Sequence, residues 1–198
     1  MTISKNIKNN SSLFYWRISS FFILLLLCFS LEYSYAQSSE YELKSIIIWK
    51  ITEYVEWPEN AGMNDKSTPV IIGVIGENPF ETALQDLYLS GKQTIKGKPV
   101  EVVYITEFNQ INNCDILFIG TSEEKNLSDI LLNTKGKSIL TIGDTKNFGE
   151  SGVHINFYIS KNQTRFELNE SAITENGFTI DYHLLNISRI VGTKKVRN

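Results

Sequence analysis

Cysteine is nearly absent from this chain. It has two, Cys28 and Cys114, and Cys28 lies in a segment with the character of a removable leader. The mature chain therefore holds Cys114 alone and cannot close an internal disulfide, so its stability must come from packing. Histidine is as scarce: His154 and His183 are the only two, neither sits in a metal-ligand spacing, and one cysteine cannot complete a zinc framework. No metal or other cofactor is expected. A basic tract is missing too. Removing Lys5, Lys8, Arg17 and Glu32 with the leader takes 19 basic and 22 acidic residues to 16 and 21, a net charge of −5. Such a chain is a poor binder of nucleic acid or of an anionic membrane, and neither is a default partner.

Enzyme signatures are also lacking. There is no G-x-S-x-G elbow and no phosphate-binding loop, and Gly73-x-x-Gly76 is too short for a dinucleotide fingerprint; tight strand-to-helix packing explains it. No nucleophile, base and oxyanion site can be assembled, so no catalytic residue is assigned. Only Asp144, Ser151 and His154 brought within bonding distance would revive a hydrolase.

The leader is explicit. Lys5, Lys8 and Arg17 precede the apolar run Phe21 to Phe29, and Ser34-Tyr35-Ala36 precedes Gln37. That order of charged, apolar and small residues describes a secretory signal peptide over 1–36, with a single α/β domain over 37–198. The apolar run is short for a stable membrane span.

After it comes the most distinctive stretch, Tyr41 to Pro58. At a helical repeat Leu43, Ile46, Ile47, Ile51, Tyr54, Val55 and Trp57 fall in one stripe, with Ser45, Thr52, Glu53 and Glu56 opposite. An amphipathic helix docked on a core by that stripe is expected, stopped by Pro58. Trp49 falls among the polar positions and Lys50 in the stripe. Either Trp49 packs under a loop and Lys50 snorkels, or both belong to a partner surface together with Glu53 and Trp57.

An exposed loop follows over Glu59 to Pro69. Val70 to Gly76 is continuously apolar, as in a strand buried on both faces. Asn78-Pro79-Phe80-Glu81 reads as a capped start for a helix from Pro79 to about Leu89. A short strand near Thr94-Ile95, strands over Val100 to Ile105, Cys114 to Ile119 and Ser138 to Ile142, and a helix capped near Thr121 and reaching about Asn133 complete an α/β order. Cys114 opens its strand either as a small buried hydrophobe or as a thiol for intermolecular pairing. Val153, Ile155, Phe157 and Ile159 then alternate with polar residues, as do Phe166 and Leu168 beyond Lys161-Asn162. That is an antiparallel hairpin with one face buried. A closing helix is expected over Leu184 to Val191, before a basic tail over Gly192 to Asn198. The fold class is thus α/β: a single three-layer-like domain, its mixed β-sheet flanked by helices, with a C-terminal antiparallel hairpin and a closing helix.

Two groups of candidate ligand residues emerge. Asn78 and Thr121 begin helices after strands, where free N–H groups could hold an anion, although ordinary capping accounts for both. His154 and Asn169 lie on the hairpin's polar face. So do Arg165 and Glu167, which either pair along their strand or present a guanidinium and a carboxylate to a partner; a solvated face is the plainer reading.

Several of these segments, in order, resemble the YfiR-like periplasmic proteins: Tyr41-Glu42-Leu43-Lys44 with Val55-Glu56-Trp57-Pro58; Gly73-Val74-Ile75-Gly76 with Asn78-Pro79-Phe80; Gly97-Lys98-Pro99-Val100; Cys114 to Gly120; Arg165-Phe166-Glu167-Leu168-Asn169; and Ile180 to Leu185. Together they cover nearly all of the expected mature chain. The resemblance implies a periplasmic regulator without catalytic activity. The best-known member represses a membrane-bound diguanylate cyclase through its periplasmic sensory domain and is relieved by an OmpA-like lipoprotein. A membrane signalling protein is therefore the expected partner, with an OmpA-like lipoprotein as a second and a homodimer left open. This chain departs from the family at Trp49-Lys50-Ile51, where members often carry an aromatic, Asn and Phe, and its Cys114 matches a family cysteine without its mate. The alternative function is a periplasmic binding protein for a small anionic or nucleotide-like ligand.

Overall fold

The continuously apolar runs form the middle of a seven-stranded sheet, with helices on both faces. The computed structural model describes residues 39–63, 65–89 and 93–192. The chain divides into two units, Met1–Glu40 and Tyr41–Asn198. Of the first, only Ser39 and Glu40 are described, both helical. The expected leader, its cleavage point at Ala36, Cys28 and the tail beyond Gly192 lie outside the described residues. Among the described residues no helix is long and apolar enough to cross a membrane.

The second unit begins with helix α1 (41–53) and strand β1 (Val55–Glu56). It continues through β2 (Val70–Ile75), α2 (Ala83–Leu89), β3 (Val100–Ile105), β4 (Ile116–Ile119), α3 (Leu127–Thr134), β5 (Leu140–Gly143) and α4 (Phe148–Ser151). The C-terminal part holds β6 (Ile155–Ser160), β7 (Gln163–Asn169), α5 (Glu170–Glu175), β8 (Thr179–Ile180), α6 (Tyr182–Ile187) and β9 (Arg189–Val191). The sheet order is β3-β2-β4-β5-β6-β7-β9. From β3 through β6 neighbours are parallel, β7 is antiparallel to β6, and β9 is parallel to β7. β1 and β8 form a separate antiparallel pair.

Alternation along the parallel strands supplies both cores. Val70, Ile72, Val74, Ile116, Phe118, Leu140 and Ile142 face one core with Ile48 and Ile51 of α1, Leu84 of α2, Ile173 of α5 and Leu184 of α6. Ile75, Leu117 and Ile119 face the other, with Ile111, Leu127 and Ile130, and Phe148 of α4. Each fully buried aliphatic side chain contributes about 1.5–3 kcal/mol, so the three-layer arrangement rests on strands that are apolar on both faces.

Four local expectations are corrected. The first helix ends at residue 53, well before Pro58, because Val55 and Glu56 pair with Ile180 and Thr179. Its buried face is also rotated. Lys44, Ser45, Ile48, Ile51 and Thr52 are buried, whereas Leu43 is 46% exposed, Ile46 45% and Tyr54 42%. The polar members pack because their polar atoms are satisfied: Ser45 Oγ donates to the Tyr41 carbonyl at 2.8 Å, Thr52 Oγ1 to the Trp49 carbonyl at 2.7 Å, and Lys44 to Asp144.

Second, the helix expected from Pro79 starts at Ala83. Asn78 accepts from the Phe80 N–H at 3.0 Å and donates to the Glu81 carbonyl at 2.8 Å, stabilising a turn that puts Glu81 at φ 50°. Third, the hairpin turns at Lys161 and Asn162, both with positive φ as a two-residue primed turn requires. Its base, however, is buried on both faces: Ile155, Asn156 and Phe157, and Phe166 to Asn169. The cause is the fourth correction. The closing helix is α6, capped by Asp181 accepting from the His183 N–H, and the residues after Ser188 form β9, which covers β7.

At the C-terminal ends of β2 and β4 the backbones nearly touch. A Cβ on Gly120 would lie 2.8 Å from the Glu77 carbonyl oxygen. Gly120→Ala is therefore expected to destabilise by about 1–3 kcal/mol, as overpacking against immobile atoms does. Urea denaturation checks this; an unchanged midpoint would show that the two loops separate freely.

Candidate functional site

The residues singled out from the sequence fall in three places. At the β2 and β4 ends, Asn78 holds its own turn, and Thr121 opens a short 3-10 helix whose N-cap position is Gly120. Thr121 Oγ1 and Thr145 Oγ1 are hydrogen-bonded at 3.0 Å, and the Glu77 N–H donates to Ser122 Oγ at 2.8 Å. These loops bond to one another instead of framing an open anion cradle. His154 and Asn169 are elsewhere and inside. His154 Nδ1 accepts from the Thr141 N–H at 3.0 Å, and the backbone N–H of His154 donates to Thr141 Oγ1 at 3.0 Å. Asn169 donates to the Gly149 carbonyl at 2.7 Å and accepts from the Ala172 N–H at 2.9 Å. Both are satisfied structural groups. Burial pushes the His154 imidazole down to about 4. Asp144, bonded to Tyr41 and Lys44, is not joined to His154 and Ser151 in a hydrolytic set.

The second place is a cleft of about 380 Å³ at the base of the hairpin, bordered by Asp144, Glu150, Asn156, Tyr158, Glu167 and Arg189. Glu167, 2% exposed, points inward, while Arg165 is exposed and bonds Gln163 Oε1 at 2.8 Å. The two do not pair. Instead Arg189 of β9 donates to Glu167 Oε2 through Nε at 3.0 Å and also through Nη2. Its guanidinium lies 4.2 Å from the Tyr158 ring centre. The Glu167 carboxylate raises the Arg189 pKa further. Asn156 spends both amide protons, on the Thr145 carbonyl and on Glu167 Oε1, each at 3.0 Å. The result is a fixed, half-open polar cleft with its buried carboxylate already neutralised. Arg189 was missed from the sequence because its strand is only three residues long. Among the described residues no group of three or more His, Cys, Asp or Glu side chains could hold a metal.

The third place is the surface of α1. Trp49 packs against the core edge and its Nε1 donates to the Thr94 carbonyl at 3.0 Å, under the loop before Ile95. The Lys50 ammonium stands 3.8 Å from the centre of the Trp49 ring. Lys96 Nζ bonds the Glu53 carbonyl at 3.0 Å, where it complements the helix C-terminus, and Glu56 Oε1 at 2.8 Å. Trp57 is turned inward, edge-on to Phe178 at 5.8 Å. Leu43, Ile46 and Lys50 on the helix, with Tyr54 in the turn that ends it, make an exposed and largely apolar stripe at spacings of three and four.

No curated protein matches the chain. Among the solved structures similar to the chain are two at 12% identity each. One is a conserved domain protein from Vibrio cholerae O1 biovar El Tor, with a TM-score of 0.50 over 76% of this chain and 60% of the other. The second is the ABC domain in complex with L-Trp from Streptococcus pneumonia, with a TM-score of 0.46 over 62% of this chain and 55% of the other. In both cases the chain spans less than two thirds of the matched protein. By contrast, the YfiR/HmsC-like family model matches residues 41–189, running from the first turn of α1 into β9 and taking in both the stripe and the cleft. The chain belongs to the YfiR/HmsC-like family.

Proposed function

We propose that this protein is a secreted, periplasmic, non-catalytic regulator that binds a membrane-bound signalling protein of the diguanylate-cyclase type, with an OmpA-like lipoprotein as the partner that relieves it. Family membership over residues 41–189 carries this reading. The exposed stripe of Leu43, Ile46, Lys50 and Tyr54 supports it, because apolar side chains left on an otherwise well-packed helix mark a contact surface. Trp49 and Glu53 flank that stripe, whereas Trp57 and Glu167 face inward and act on a partner only through the residues they hold in place. Mild crosslinking in the envelope followed by capture of the tagged protein tests the proposal. A membrane sensor should be recovered, and its repeated absence would count decisively against the reading. Ile46→Asp should leave stability within about 0.5 kcal/mol yet reduce capture about tenfold or more, as loss of a central anchor does.

A second reading, a small-ligand binder, is favoured by the open polar cleft of about 380 Å³. A ligand that binds only the folded state raises Tm. A thermal-shift screen of nucleotides and amino acids that moves Tm of the parent but not of Arg189→Ala would favour it.

A further inference from the structure

β6 runs on past the end of β5. The parallel ladder between them holds only Ile155 and Asn156, opposite Ile142 and Gly143, whereas β6 continues to Ser160. The Asn169 N–H donates to the His154 carbonyl at 2.9 Å, so the even-numbered residues of β6 bond to β7 and the odd-numbered ones turn their N–H and C=O groups toward β5. At Ile159 β5 no longer runs alongside, and the polar cleft of about 380 Å³ lies there instead. The cleft is thus outside the carboxyl end of β5, where open α/β sheets receive ligands. Two acceptors in its lining are short of donors. Asp144 Oδ1 and Asn156 Oδ1 are buried and have no hydrogen-bond partner among the described residues. Neither group can turn to find one. Asn156 holds the Thr145 carbonyl and Glu167 through Nδ2, and Asp144 holds Tyr41 and Lys44 through Oδ2. A buried acceptor left in that state is costly, and an O–H brought to it is correspondingly well bound.

We propose that this cleft binds an uncharged, polyhydroxylated ligand, a neutral monosaccharide, through Asp144 Oδ1, Asn156 Oδ1 and the main chain of Ile159. The inference rests on the small-ligand reading of the cleft and names the ligand's class. Charge decides against an ion. The carboxylates of Asp144, Glu150 and Glu167 are matched by Lys146, by Arg189 on Glu167 and by Lys44 on Asp144. A charged ligand would meet its own sign as readily as the opposite one, whereas a neutral one meets neither penalty. Hydroxyls suit the groups on offer, because each carries one donor and two acceptor positions. Their protons go to the two unmet oxygens and the Ile159 carbonyl, and their lone pairs take the Ile159 N–H. The Ile159 side chain, 54% exposed, gives the C–H face of a sugar ring an apolar flank. The volume lies within the range of about 300–1,000 Å³ usual for small-molecule sites.

Thermal-shift measurements with glucose, galactose, mannose and arabinose as probes test this, with glucuronate and glucosamine as charged counterparts. At least one neutral sugar should raise Tm by about 5–10 °C when present at about a hundred times its Kd. Both charged counterparts should bind about tenfold or more weakly than that sugar. Titrating the same sugar should shift the Ile159 amide and the Asn156 side-chain NH2 in 1H–15N spectra. Asn156→Leu keeps the side chain's size but removes the acceptor, and should weaken binding about tenfold or more. Should that variant not fold, the two shifts in the parent protein decide. No Tm rise with any neutral sugar, a rise without shifts at Ile159 and Asn156, or a charged counterpart that binds as tightly would each overturn the proposal. Nucleotides or amino acids that raise Tm where sugars do not would overturn the ligand class and leave the small-ligand reading standing. Silence from every probe would overturn both.

Discussion

Lys44→Ala is expected to cost the fold about 3–5 kcal/mol, the loss typical of a buried ion pair stripped of one partner. Lys44 Nζ lies 2.7 Å from Asp144 Oδ2, and the two side chains are 5% and 3% exposed. Tyr41 donates to the same oxygen at 2.6 Å, and the Lys44 ammonium stands 4.0 Å from the Tyr41 ring centre. Asp144 Oδ1, also buried, has no hydrogen-bond partner among the described residues, so once the ammonium is gone the Tyr41 hydroxyl is the one neutral donor left on the carboxylate there and no cation balances its charge. Taking the charge off both ends should reverse most of the loss, since a neutral buried pair has no uncompensated ion. Lys44→Met with Asp144→Asn is therefore expected to be markedly more stable than Lys44→Ala alone. Urea denaturation of the single and double variants checks both statements, and Tm of the single variant should fall by about 10 °C for a unit of this size. A single variant within 1 kcal/mol of the parent would mean that water reaches Asp144 and the pair contributes little. The consequence extends to the partner surface. Lys44 fixes the rotation of α1, so its loss should free the helix to turn and degrade capture of a membrane sensor along with stability.

That rotation is also where the sequence was least legible. Periodicity ranks side chains by polarity, and on that basis Leu43 and Ile46 belong inside and Ser45 and Thr52 outside. The structure reverses them because Lys44 finds a carboxylate 100 residues away and the two hydroxyls bond back to the helix's own carbonyls. No local window contains the first fact. The parallel strands were legible for the opposite reason: Val70 to Ile75 and Ile116 to Ile119 are apolar on both faces because each face meets its own core. The candidate site divides the same way. The Lys161-Asn162 turn and the hairpin could be read from alternation, whereas the inward turn of Glu167 depends on Arg189, which β9 delivers from 22 positions further on. Asn78 and Thr121 were placed correctly at the ends of β2 and β4. What their side chains bond there was decided by loop-to-loop contacts that the sequence does not display.

His154 should make the fold acid-sensitive by about 3 kcal/mol. It is 1% exposed, its Nδ1 accepts from the Thr141 N–H, and the Phe178 ring lies 5.3 Å away. Nδ1 cannot take a proton without breaking that bond, and desolvation opposes a charge there, so the imidazole is pushed down to about 4 against a smaller upward pull from the Ala172 backbone. In the unfolded chain it titrates at the ordinary 6.5. A depressed imidazole leaves the unfolded state holding the extra proton between those two values, so stability falls as pH falls. The contribution is complete above about pH 6.5 and is lost progressively toward pH 4, at up to about 1.4 kcal/mol per pH unit. His154→Gln keeps an acceptor for the Thr141 N–H but removes the titration. At pH 7.5 the variant should be the less stable protein, through imperfect packing and hydrogen bonding. By pH 4.5 the gap should close or reverse by about 2–3 kcal/mol, because only the parent has a buried base to protonate. Carboxylates titrate in both proteins alike, so the difference between the two urea-denaturation profiles isolates the imidazole. Profiles that stay parallel from pH 7.5 to 4.5 would show that His154 is hydrated and unperturbed. Convergence would instead show that His154 is held neutral in the folded protein and that its protonation is part of what acid adds to unfolding.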